Sequence, residues 1–206
     1  MKRTHIGKLT WKLLVLYALV LVLVAFAEPR PDRPWFWAGL ALVVLGEAVR
    51  IWAAGHLVKN KELTTTGPYA HVKNPLYVGT FLVMAGFCVL AQGGGKGNRL
   101  FDNMNWVLLG AGAAGFLLYY VPYKKRREGG RLREIFGAAW EEYDRRVPDY
   151  FPRLRPYRRA GGAPRRWSFR TVCENSEQWA PVAIAAGVLA VLFSREITSF
   201  FLRYGW

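Results

Sequence analysis

Cysteine, histidine and acid are scarce in this chain: two cysteines, three histidines and fourteen Asp/Glu among 206 residues. Cys88 falls in an apolar run and Cys173 in a polar segment, so a disulfide between them is not expected. No CxxC and no Cys/His spacing suggests a metal, so no metal ligand is assigned. There is no internal repeat. No glycine-rich turn follows a strand and no alternating strand and helix pattern appears, which excludes a soluble dinucleotide-binding fold. The shortage of acid against 29 Lys/Arg leaves a formal charge of +15. In a soluble protein that balance would suggest nucleic acid, but here the charges are distributed as membrane topology distributes them, and no nucleic-acid partner is expected.

What the chain does have is apolar sequence, 52% of its residues, with nine tryptophans. It gathers into runs at residues 9–27, 35–54, 76–92, 104–123 and 178–194, each close to the length that crosses a bilayer core. The first is too long and too uniform for an ordinary signal peptide, although Ala25 and Ala27 faintly mimic a cleavage site. The expected fold is all-α: one membrane domain over residues 1–206, a polytopic bundle of about five transmembrane helices. Fifteen Lys/Arg fall between residues 124 and 170, whereas 28–34 and 93–103 carry two each. The positive-inside rule therefore places the N-terminus and the basic loops in the cytosol and the C-terminus on the opposite side.

Two cytosolic segments, 55–75 and 124–152, hold the polar chemistry. In the first, Gly67-Pro68 predicts a turn, Asn74 an N-cap and Pro75 the first position of the third span. Helix entry does not itself require Tyr69, His71, Lys73 and Tyr77 at the same place, where free N–H groups favour an anion. In the second, Leu132, Ile135, Phe136, Trp140 and Tyr143 recur at helical spacing and predict a short amphipathic helix on the membrane surface. Glu128 precedes it, beside Lys124, Lys125, Arg126 and Arg127. Residues 155–177 read as a basic interfacial linker drawn to anionic lipid headgroups. Glu47 and Arg50 stand one turn apart in the second span, as a structural pair or an acceptor-binding site.

Together the two segments resemble the isoprenylcysteine carboxyl methyltransferase and phospholipid methyltransferase family of small membrane enzymes. The first motif is carried by Thr66-Gly67-Pro68-Tyr69, Lys73-Asn74-Pro75, Tyr77 and Gly79, with Lys73 where the family has arginine. The second is carried by Glu128, Leu132, Phe136-Gly137, Trp140, Tyr143, Val147-Pro148 and Pro152, with Gly129 in place of a second glutamate.

The resemblance implies S-adenosylmethionine in a cytosolic pocket closed by both motifs, and a lipophilic or lipid-modified acceptor arriving through the bilayer. Gly67, Pro68, Tyr69, Lys73, Asn74, Pro75, Tyr77, Gly79, Glu128 and Tyr143 become the expected cofactor contacts, with Lys73 toward the carboxylate and Glu128 toward the ammonium or ribose. Methyl transfer needs positioning and exclusion of water rather than a covalent residue. His71 or Glu128 would take a proton if the acceptor is an amine, and Arg50 matches a family arginine. The alternatives are an NADPH-dependent sterol-type reductase and a non-catalytic lipid-binding relative.

Overall fold

The computed structural model describes residues 27, 29–58, 61–92, 104–115, 118, 121–159 and 165–204. Among them there are eight α-helices, one 3-10 turn and no strand. The helices are α1 (Pro34–Ala54), α2 (Pro75–Leu90), α3 (Met104–Gly115), α4 (Val121–Phe136), α5 (Ala138–Arg146), α6 (Phe169–Glu174), α7 (Ala180–Leu192) and α8 (Ser194–Tyr204). The 3-10 turn is Gly67–Ala70. The all-α expectation holds.

The described residues bear out the helical class but not the count of about five spans. Among the described residues one helix, α1, is long and apolar enough to cross a membrane, which points to membrane association. α2, of 16 residues, and α7, of 13, are apolar but shorter. Of the run at 104–123, the described residues place 104–115 in α3 and 121–123 at the start of α4, together with the basic residues that follow. The run at 9–27 lies outside the described residues apart from Ala27. The predicted amphipathic helix is interrupted at Gly137, where φ is +51°, so that α4 and α5 are separate helices. A positive φ cannot continue a right-handed helix and is cheap only for glycine. The basic linker at 155–177 contains α6 in its second half.

The spine is the antiparallel pair α1 and α2, held together at four glycines. A Cβ on Gly46 would lie 2.6 Å from the Gly79 carbonyl oxygen, and one on Gly86 would lie 2.7 Å from the Gly39 carbonyl oxygen. Each pair of glycines is seven residues apart on its own helix, Gly39 and Gly46 on α1 and Gly79 and Gly86 on α2, so both contacts fall on one seam. Backbones that touch in this way gain dispersion and Cα–H···O contacts that any side chain would prevent. Among the described residues, a Cβ on Gly110 or Gly115 would meet nothing within 4 Å, and one on Gly112 would meet the Met84 methyl at 3.0 Å. At one end of the seam Ala27, Phe36, Leu90, Ala91 and Val191 form a buried cluster.

The other end of α1 is closed by residues on either side of α6, Trp167 before it and Asn175 after it. The Asn175 amide donates to the carbonyls of Ala54, Leu57 and Thr171, and the Trp167 indole to that of Ile51. The Ala54 carbonyl, left open by the last turn of α1, thus gains a donor just where α1 stops.

Candidate functional site

The two segments singled out by sequence do meet. Lys73 N–H donates to the Pro148 carbonyl, Arg153 N–H to His71 and Tyr157 N–H to Ala70, at 2.8–3.0 Å. The Tyr143 hydroxyl donates to the Tyr69 carbonyl at 2.8 Å, and Tyr143, Val147 and Tyr157 form a buried cluster. Burial pushes the hydroxyls of Tyr69 and Tyr143 well above the usual phenol range, with further upward pressure on Tyr69 from Glu128 and Glu177. Both phenols therefore remain neutral.

Lys73 is the centre of this clamp. Its ammonium lies 2.5 Å from Asp144 Oδ1 and 2.8 Å from Asp149 Oδ1, and it also donates to the Asp144 carbonyl. Its side chain is only 8% exposed, so two carboxylates consume its charge within the fold. The Asn74 side chain does not cap α2 but donates to the Asp149 carbonyl at 3.1 Å; Pro75 takes the first helical position as expected. His71 Nδ1 stands 2.8 Å from the Arg153 carbonyl oxygen, which can only accept, so Nδ1 carries the hydrogen.

Beside the clamp, three elements converge on Arg50. Its Nη1 donates to Thr80 Oγ1 on α2 at 2.5 Å, and its Nη2 to Glu177 Oε2, ahead of α7, at 2.5 Å. Its Nε lies 3.3 Å from Glu47 Oε2, one turn back on α1. Both Glu47 carboxylate oxygens are shut off from solvent and accept no hydrogen bond. Two carboxyl groups thus face one guanidinium, giving a cluster with one formal excess negative charge and unused acceptor oxygens, a costly arrangement to bury.

Of the residues named from sequence, Gly67 packs against the His56 ring: at φ +60°, a Cβ would lie 2.4 Å from His56 Cδ2. Pro68 and Tyr69 are buried in the same turn. Gly79 belongs to the α1–α2 seam, where its neighbours are the Gly46 carbonyl and the Arg50 side chain. Tyr77 is half-buried in the first turn of α2. Glu128 is exposed on α4, near enough for its charge to act on Tyr69. Sequence reading paired Glu47 with Arg50 but missed Thr80 and Glu177. Glu177 stands 127 residues beyond Arg50 with no local pattern to announce it.

His56 is buried just past α1, its Nδ1 3.3 Å from Thr66 Oγ1. Burial, and then the charge of Arg165, holds its pKa below the ordinary 6.5. Among the described residues no group of three or more His, Cys, Asp or Glu is placed to hold a metal ion.

No family model and no solved structure matches the chain. It is 31% identical over 163 residues to the cobalt-zinc-cadmium resistance protein CzcN of Cupriavidus metallidurans, an alignment covering 76% of this chain and 67% of that protein. It is 30% identical over 155 residues to the nickel-cobalt-cadmium resistance protein NccN of Alcaligenes xylosoxydans xylosoxydans, covering 72% and 65%. The chain thus spans about two thirds of the length of these relatives. They overturn the resemblance to the isoprenylcysteine and phospholipid methyltransferases, and with it the methyltransferase reading; neither the reductase nor the lipid-binding alternative gains support. The physical reason the motifs misled is visible in the clamp, where Gly67, Tyr143 and Lys73 each have a structural task that needs no cofactor. By the extent of that similarity, the chain belongs to the family of the cobalt-zinc-cadmium resistance protein CzcN.

Proposed function

We propose that this chain acts in resistance to cobalt, zinc and cadmium ions as a membrane-associated helical protein, with the Glu47, Arg50 and Glu177 cluster as its working site. The observation that carries the reading is the 31% identity to CzcN over 76% of the chain. The similarity to NccN extends the candidate metals to nickel. The cluster is chosen because it joins α1, α2 and the turn before α7 around buried charge, and charge retained inside apolar helices is expensive unless it serves a purpose.

The apolar character of α1, α2 and α7 supports their insertion in the bilayer, within a bundle of about five spans as the sequence runs suggest. The loop distribution of Lys/Arg supports a cytosolic N-terminus and cytosolic basic segments.

The test is metal tolerance in a host from which the gene has been deleted. Deletion should lower the cobalt, zinc or cadmium concentration at which growth stops, and the wild-type gene should restore it. A Glu47→Gln or Glu177→Gln gene, expressed at equal level, should restore it poorly. Identical tolerance to every one of these metals with and without the gene would remove the reading.

A further inference from the structure

We propose that the loop Pro148–Tyr157 is a membrane-docking knuckle, with Phe151 and Leu154 entering the apolar edge of an anionic bilayer and the arginines around them contacting its headgroups. The proposal requires α1 and α2 to lie in a membrane, but not the metal-resistance reading.

The loop is rigidly held from behind. Lys73 and Asn74 hold Pro148 and Asp149, the His71 backbone and ring hold Arg153, and Ala70 holds Tyr157. The Arg153 guanidinium donates back to the Arg146 carbonyl at 2.8 Å. With these positions turned inward, the intervening Phe151 and Leu154 are turned outward. They are 86% and 97% exposed, the most exposed large apolar side chains among the described residues. Leaving two such side chains in water on a loop fixed by so many hydrogen bonds is unfavourable unless another phase receives them.

Three further observations select a lipid surface. The same contacts that hold the loop attach it to Lys73 and Asn74, immediately before the apolar helix α2, so the knuckle stands at the level where that helix leaves water. Arg145, Arg146, Arg155, Arg158 and Arg159 are exposed on either side, and no acidic residue lies between Tyr150 and Arg159. A short apolar insertion within a cationic rim is complementary to anionic headgroups over hydrocarbon.

The test uses the full chain reconstituted in vesicles. Cys173, the exposed free thiol, is first changed to serine, and a polarity-sensitive fluorophore is placed at Leu154→Cys. In vesicles containing phosphatidylserine, the probe should shift to the blue, be quenched by nitroxide lipid labelled near the headgroup and be shielded from aqueous iodide. Pure phosphatidylcholine should give a smaller effect. Changing Arg155, Arg158 and Arg159 to glutamine should lower the inserted-to-free ratio by about fivefold for each arginine. A probe at Glu134→Cys, an exposed position on α4 that belongs neither to the knuckle nor to its cationic rim, should remain open to iodide and serves as the internal reference. If the Leu154→Cys probe is equally open to iodide in both lipids, the proposal fails. It also fails if shielding appears only in native membranes and not in vesicles, since a protein partner would then be the occupant.

Discussion

Arg50 Nη2 donates to Glu177 Oε2 across 2.5 Å, tying the last turns of α1 to a residue 127 positions away, just ahead of α7. Both side chains are about four-fifths buried, so removing one leaves the other with an uncompensated charge. Arg50→Met should therefore lower stability by about 2–4 kcal/mol, since Glu47 and Glu177 would then face each other without a cation. Arg50→Met combined with Glu177→Leu should recover part of the loss, with a coupling of about 1–3 kcal/mol. Thermal unfolding of the two single variants and the double variant in detergent measures this directly, and additive losses would deny that the pair acts as a unit.

Close approach of α1 and α2 gives a second expectation. Gly46→Ala places a Cβ 2.6 Å from the Gly79 carbonyl oxygen and must part the helices, at a cost of about 1–3 kcal/mol. Gly110→Ala, where nothing among the described residues lies within 4 Å, should be neutral or stabilising by up to about 1 kcal/mol, because alanine is the better helix former. Equal melting behaviour of the two variants would contradict the seam.

Lys73 carries the third. Lys73→Ala leaves Asp144 and Asp149 without their shared cation and should cost about 1–3 kcal/mol, moderated because both aspartates are partly solvated. The loss should be read first in the clamp: amide exchange at Arg153 and Tyr157, whose N–H groups bond to His71 and Ala70, should quicken more than exchange within α2. Uniform quickening everywhere would assign Lys73 to global stability instead.

His56 sets a pH dependence with a definite sign. Its folded pKa lies below 6.5, first because it is buried and second because Arg165 is near, so the unfolded chain binds a proton more readily than the folded one. The stability this residue contributes is complete above pH 6.5 and is lost as pH falls from there through the folded value. His56→Gln should flatten that part of the stability curve. A wild-type curve already flat below pH 6.5 would be the contrary result.

Legibility from sequence followed the range of the interactions. The runs at 35–54 and 76–92 became α1 at 34–54 and α2 at 75–90 because helix formation and apolar burial are written locally, in spacing and in a proline at the first turn. Gly67-Pro68 was equally local and forms the expected turn. The site was harder. Lys73 beside a helix start suggests an anion site, yet the anions are Asp144 and Asp149 of the same chain, more than seventy residues on. The break at Gly137 was hidden because apolar spacing continues across it, and only the backbone dihedral records the interruption. Family resemblance failed at the same place: motifs made of turn-formers, helix-starters and buried tyrosines recur wherever a loop must be tied to a helix.

The seam of four glycines also limits how the molecule can move. Side chains in contact can change rotamer and let helices creep past each other, but α1 and α2 meet at Gly39, Gly46, Gly79 and Gly86 through backbone, which has no rotamers to change. Sliding into the next matching register requires seven residues, roughly 10 Å of travel along the axis. Intermediate positions put a side chain where only hydrogen fits. The two helices therefore shift as one beam, and any rearrangement that accompanies activity must be taken up around it: at the interruption at Gly137, or by exchange of partners about Arg50.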